Sequence, residues 1–282
     1  MKYFICDSHT DLITALNESE QIEFFRTLPK NVKMLNCAVF TTDDNLILQD
    51  IVKYKQQFDN LQLLTQCKLL FSVEDIASIP LSELDEFITL QPFCCSLTWN
   101  YANKYAGGAL STGGLTKEGI KAIEKLESNN IIVDTAHLNR QSFWEFCQFT
   151  SKPILNTHCN IDALFPHPRN LTDWQIQKIV DSNGFIGITI YEKFISQGKI
   201  SAKDIALQFD YLIKNFGYLN FGLGSDLFGI NKNSLPFDIK SHSELSLIGD
   251  ELEKLGYSQQ IIECIMYKNY LRFLRLLSNI NR

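Results

Sequence analysis

Several residues able to handle metals or protons sit at one kind of place in this chain, where a short apolar run stops at polar residues. The stretch FICDSHTDL near the N-terminus is the first case. His9 and Asp11 are two apart, so in extended chain their side chains leave on the same face. An imidazole nitrogen and a carboxylate oxygen are both good ligands for a divalent metal such as zinc. A strand-end turn in which Asp11 caps a helix over 12–17 accounts for the same tripeptide. The pattern then recurs: Glu74 follows KLLFSV, His137 follows IIVDTA, His158 follows PILNT, Tyr191 follows GFIGITI and Asp226 follows LNFGLGS. Taken singly, these residues read as readily as a cap neighbour, a core histidine, a surface acid or a turn cap. Taken together, His9, Asp11, Glu74, His137, His158 and Asp226 gather ionisable groups that repel one another unless cations neutralise them.

The ligand count suggests the chemistry. Five candidates, His9, Asp11, Glu74, His137 and His158, exceed the three protein ligands of a single open catalytic zinc. They suit two ions, one on His9 and Asp11 and one on His137 and His158, with Glu74 between them. A metal pair roughly 3.5–4 Å apart can share a bridging hydroxide and polarise a carbonyl. Asp226 is then left as general base and acid.

The elements that would position these groups alternate along the chain. Apolar runs at 3–6, 34–40, 68–73, 93–97, 131–135, 153–156, 184–190 and 219–225 read as strands, the second ending at Thr41-Thr42. Helical spacing falls between them, at 47–66, 81–90, 116–128, 140–150, 173–182 with Asp173 as cap, and 202–215. Two further helices, 243–255 and 258–277, close the chain. Eight strands alternating with helices imply parallel βαβ units with right-handed crossovers. The expected fold is α/β, a (β/α)8 TIM barrel, as a single domain over 1–282, with the candidate residues at the carboxyl ends of the strands. An open doubly wound sheet is the runner-up, but no glycine-rich dinucleotide fingerprint follows the first strand. The stripe Ile261, Ile262, Ile265, Met266, Leu271, Phe273, Leu274 and Leu277 reads as core packing.

Composition narrows the partners. The 282 residues are 45% hydrophobic with a formal net charge of −6, and no Lys/Arg run suggests nucleic acid. No apolar stretch reaches the roughly 18 residues of a membrane span. The opening MKYFICDSHTD lacks the apolar core and cleavage site of a signal peptide, so a cytoplasmic chain is expected. Eight cysteines without a C-x-x-C pair read as core residues of a reducing compartment rather than a disulfide framework.

The blocks DSHTDL, FSVE, SLTWNYANKYAGG, GLTKEGIKAIEKLESNNIIVDTAH, KPILNTH, HPRNLTDWQIQKIVDSNGFIGITIY, GLGSDLFG and GYSQQIIECIMYKNYLRFL resemble, in order and spacing, the membrane (renal) dipeptidase family of zinc metallopeptidases. The resemblance implies hydrolysis of dipeptides, often with tolerance for a D-residue at the C-terminal position, by two zinc ions on His9, Asp11, Glu74, His137 and His158, with Asp226 catalytic. It implies that Arg169 holds the substrate carboxylate, a role suited to a guanidinium fork; a loop-bracing ion pair is the alternative. Tyr191 and Trp99 are expected to line the same pocket, and a homodimer is plausible by the same resemblance. The chain departs from the family at Trp99, where some members carry a histidine that polarises the scissile carbonyl. It departs again at Phe228, often a second Asp, and at Cys159, usually Ser and read here as space-filling. His167 could touch substrate; His242 is expected on the surface. Two other readings stay open: a different metal-dependent hydrolase on the same barrel, acting on a lactone, an N-acyl amino acid or a phosphoester, and a non-catalytic metal-binding relative.

Overall fold

Short, buried, β-branched runs that alternate with amphipathic helices can pair only in parallel, and here they close on themselves. The computed structural model describes residues 2–40 and 47–280. Its strands are β1 Ile5–Thr10, β2 Val32–Val39, β3 Lys68–Val73, β4 Cys94–Ser96, β5 Ile132–Asp134, β6 Leu155–Cys159, β7 Phe185–Ile188 and β8 Phe221–Leu223. Each pairs in parallel with the next, and β8 returns to β1 to complete a closed barrel. Around it lie α1 Leu12–Ala15, α2 Glu18–Thr27, α3 Leu48–Gln62, α4 Leu84–Thr89, α5 Lys117–Ser128, α6 Arg140–Phe149, α7 Asp173–Asp181, α8 Ala202–Phe216, α9 Ser246–Lys254, α10 Gln259–Glu263 and α11 Asn269–Ile280. The chain is a (β/α)8 barrel, as its alternation predicts.

The barrel interior is built in two zones. At the amino ends of the strands, Cys6, Met34, Cys94, Ile132, Leu155 and Phe185 pack on Tyr270, Phe273 and Leu277 of α11, so the last helix plugs that end. Nearer the carboxyl ends the interior turns polar. Asn36 Nδ2 donates to the Ser8 carbonyl at 2.9 Å, and Ser8 Oγ reaches the carbonyls of Thr157 and Leu223 at 2.7 and 2.8 Å. A buried polar layer of this kind persists only because its members find partners. It forms the floor of the site above.

Several boundaries differ from the sequence pattern, for physical reasons. The first strand does not stop at the polar burst; it runs through Asp7, Ser8 and His9, all buried, because the barrel interior supplies them with partners. Asp11 occupies the N-cap position of α1 but makes no side-chain cap bond. Thr172, not Asp173, caps α7, in a capping box with Gln175, the reciprocal pairing that satisfies two first-turn donors. The closing helix expected over 258–277 is interrupted by a π turn, Cys264–Lys268. The break is followed by Asn269, whose Nδ2 donates to the Phe221 carbonyl at 2.9 Å. The stripe on this segment is core in its deepest members: Ile262, Ile265, Met266, Phe273 and Leu277 are buried. Thr41 and Thr42, expected to end β2, lie outside the described residues. No described helix is long and apolar enough to cross a membrane.

Candidate metal centre and substrate cavity

The site is assembled from the ends of five strands. His9 lies within β1 and Asp11 just after it; Glu74 follows β3, His137 follows β5, His158 lies in β6 and Asp226 follows β8. Both histidine-bearing strands are irregular at that point. β1 shifts register against β2 between Asp7 and Thr10, and β6 shifts against β7 between Asn156 and Cys159. Such irregularities re-aim side chains at barrel rims. His137 and Asp226 have φ of 69° and 63°, in the left-handed region. A non-glycine residue there costs on the order of 1–3 kcal/mol, and such strain clusters at functional sites.

The imidazoles converge through Nε2. His9 Nε2 is 3.0 Å from Glu74 Oε2, and His137 Nε2 is 2.8 Å from Glu74 Oε1. Thus each oxygen of one carboxylate meets a different histidine. His137 Nε2 and His158 Nε2 stand 2.9 Å apart, and His9 Nε2 is 3.5 Å from Asp11 Oδ2. Ligand atoms of His9, Glu74 and His158 lie within 4.8 Å of one another, as do those of His9, Asp11 and Asp226. The opposite ring nitrogens are also engaged. His137 Nδ1 is 3.0 Å from Asn100 Oδ1, while the Nδ1 atoms of His9 and His158 lie 3.3 and 3.0 Å from Thr157 Oγ1.

Electrostatics follows from burying these groups together. Burial, aided by Arg169, pulls His137 down to about 4. Burial, aided by the His9 charge, holds His158 well below its ordinary value. Both are therefore in the neutral form that ligates metal. Burial opposes a charge on His9 too, but Asp11 and Glu74 outweigh it and this imidazole draws in positive charge. Burial also presses Glu74 upward, yet His137 and His9 win and keep it ionised. Asp226 is held well above the carboxylate range, first by burial and then by the charge of Asp11, to which it hydrogen-bonds. Two acids this close share a proton.

Divalent cations fit these residues. His9 Nε2 and Asp11 Oδ1 are buried without a satisfactory hydrogen bond, a condition that is uncommon in a folded protein and that coordination relieves. The donor set of imidazole and carboxylate is that of zinc.

The surrounding cavity, about 400 Å³, is lined by Asp11, Glu74, His137, His158 and Asp226 together with Trp99, Arg169 and Tyr191; His9 lies against its floor. All nine residues singled out in the sequence come together here. Arg169 is buried, with its Nη2 3.4 Å from the His158 carbonyl and its guanidinium 5.5 Å from the Phe194 ring centre. Among the described residues it makes no carboxylate ion pair within 4 Å, so the loop-bracing alternative finds no partner. His167 also faces the cavity. Cys159 is buried within β6, its Sγ 3.7 Å from the Gly187 carbonyl, which fits the space-filling reading.

His242 is the correction. It is buried, not exposed, with Nε2 3.2 Å from Asp7 Oδ2 and its ring stacked on Phe228. Asp7 in turn accepts from the Ser225 N–H at 2.7 Å and from the Ser225 hydroxyl. This chain of contacts fixes the turn that carries Asp226. A polar stretch around His242 gave no hint of it, because its partner lies at the opposite end of the chain. Asn100, Thr157 and Gly229 were likewise missed. A Cβ on Gly229 would overlap carboxylate oxygens of Asp11 and Asp226, so only glycine lets the backbone pass there.

A closed parallel barrel with histidines and carboxylates at its carboxyl rim belongs to a recognisable class, the (β/α)8 barrels that gather metal-ligating groups at that end. Within that class the chain belongs to the membrane dipeptidase family, peptidase family M19, whose model matches residues 48–282. It is 33% identical over 190 residues to an uncharacterised protein in the pqqA 5′ region of Klebsiella pneumoniae, covering 63% of this chain and 69% of that protein. It is 27% identical over 202 residues to an uncharacterised dipeptidase of Schizosaccharomyces pombe, covering 68% of this chain. There the match spans only about half of the relative, 48%. The fold is shared with the dipeptidase AC, a metallopeptidase of family M19, at a TM-score of 0.87 and 18% identity over 97% of this chain and 98% of that one. It is also shared with a metallopeptidase from Rhodobacter sphaeroides, bound to a phosphinate mimic of the dipeptide L-Ala-D-Ala, at a TM-score of 0.83 and 16% identity over 98% and 99% of the two chains.

Proposed function

We propose that this protein is a dinuclear zinc dipeptidase that hydrolyses the peptide bond of dipeptides, L-D dipeptides among them. The observation that carries the reading is Glu74, whose two oxygens meet His9 on one side and His137 on the other, the placement of a carboxylate between two ions. His9 and Asp11 would hold one ion, His137 and His158 the other. Two zinc ions so held would supply a hydroxide nucleophile from water at neutral pH and a Lewis acid for the scissile carbonyl. Arg169 binds the substrate carboxylate by its guanidinium fork and so fixes which end of the dipeptide enters first. Trp99 and Tyr191 wall the cavity and exclude water from the bond being cut. Asp226 takes the proton released by the attacking water and delivers it to the leaving amine, a task that suits an acid whose hold on its proton is strengthened by burial and by the charge of Asp11.

Family membership supports the dipeptide substrate. The L-Ala-D-Ala mimic bound to the Rhodobacter protein supports the L-D preference. The free state of all eight cysteines fits a cytoplasmic location. Metal analysis paired with a panel of L-L and L-D dipeptides tests the reading. About two zinc ions per chain with cleavage of free dipeptides is the expected result; a zinc-treated chain that binds none overturns it. Arg169→Ala separates this reading from an esterase or lactonase on the same barrel. It should lower kcat/KM for dipeptides by roughly 10- to 150-fold, the worth of a charged hydrogen bond of about 1.5–3 kcal/mol, mainly through KM.

A further inference from the structure

One hydroxyl stands between the two histidines that the proposed function places on different ions. Thr157 Oγ1 lies 3.3 Å from His9 Nδ1 and 3.0 Å from His158 Nδ1, and it donates to Asp134 Oδ2. A hydroxyl has one proton and two lone pairs. Its proton is committed to Asp134, so both lone pairs are left to accept, and each ring can satisfy one only by carrying its own proton on Nδ1. That leaves each Nε2 as the atom an ion would take, and His9 Nε2 is the atom that meets Glu74 while His158 Nε2 is the one that meets His137. We infer that Thr157 is a shared positioning residue, which fixes the ring tautomer of a ligand of each ion and so ties the two metal sites to one hydroxyl.

The surroundings hold this hydroxyl in place. Asp134 Oδ1 accepts from the backbone N–H of Thr157 and of Ala136, both at 3.0 Å, so the acid is anchored by β6 and by the turn that follows β5. The Thr157 carbonyl is held by Ser8 Oγ at 2.7 Å. Adjacent residues of a regular strand point to opposite faces. The register shift between Asn156 and Cys159 is what lets the side chains of Thr157 and His158 meet. Thr157 is buried and lies beneath the ligands rather than in the cavity, so it does not touch substrate.

The inference rests on the dinuclear reading, and its test separates the two. Zinc affinity is measured by chelator competition on the wild-type protein, Thr157→Val and Thr157→Ser. Loss of an outer partner of a metal-ligating histidine typically weakens binding 10- to 100-fold. Thr157→Val should therefore weaken both ions together by that amount, and Thr157→Ser, which keeps the hydroxyl, should restore them. A wild type that binds no zinc overturns the dinuclear reading itself. A valine variant with wild-type affinity, or one that weakens a single ion, overturns only the shared role. If the valine variant does not fold, long-range 15N–1H spectra of the zinc-loaded wild type decide. The Nδ1 proton should be present on both His9 and His158, and an Nε2 proton on either ring overturns the inference.

Discussion

At the scale of single residues, the proposed function depends on two acids kept apart in role by their surroundings. Asp11 and Asp226 touch; burial raises both, the charge of Asp11 lifts Asp226 further, and the hydrogen bond with Asp226 lowers Asp11. Asp11 also faces His9, which opposes the rise, so the proton resides on the Asp226 side of the pair. Asp226→Asn keeps the shape and removes the proton traffic; it should lower kcat by roughly 10²- to 10⁴-fold, the usual worth of a general acid–base group. Zinc content, measured alongside, should stay close to wild type, and loss of metal would instead mark Asp226 as chiefly a ligand. Gly229 lies against the same two carboxylates. Gly229→Ala should displace them and reduce kcat at least tenfold, because misplacement of reacting groups by about 1 Å can lower rates 10²-fold. A circular dichroism spectrum unchanged from wild type would show that the loss is local.

At the scale of elements, each candidate ligand was legible because it sits where a strand ends, a position that apolar runs announce. His137 after IIVDTA and Glu74 after KLLFSV were found this way. Residues that act on ligands from behind were not legible. Thr157 looks like any threonine in a strand, and only the irregularity of β6 brings it beside two rings. His242 was misplaced for a related reason, since a polar neighbourhood in sequence says nothing about an aspartate 235 positions away that needs a partner. The π turn within the closing helix was also hidden, because its apolar stripe continues through it. That stripe has a testable weight. Phe273 plugs the amino-terminal mouth of the barrel on Phe185 and Tyr270, so Phe273→Ala should destabilise the protein by about 3–5 kcal/mol, read from denaturant unfolding. Catalytic constants of the folded fraction should be unchanged, because the plug and the site lie at opposite ends of the strands.

At the scale of the whole molecule, the fold concentrates charge that its own atoms do not fully balance, and bound cations should repay that imbalance as stability. A ligand present at about 100 times its dissociation constant stabilises the folded state by about 2.7 kcal/mol. Zinc-loaded protein should accordingly melt several degrees above protein treated with a chelator, and equal melting temperatures would show that the carboxylates and histidines are content without metal. One further consequence comes from the seam of the barrel. The Asp226 N–H bonds to the His9 carbonyl at 3.0 Å, and Asp7 grips Ser225, so the edge where first strand meets last is also a wall of the reaction chamber. A polypeptide still leaving the ribosome will have all three ring ligands long before it has that wall. The chamber is therefore complete only once β8 has paired with β1.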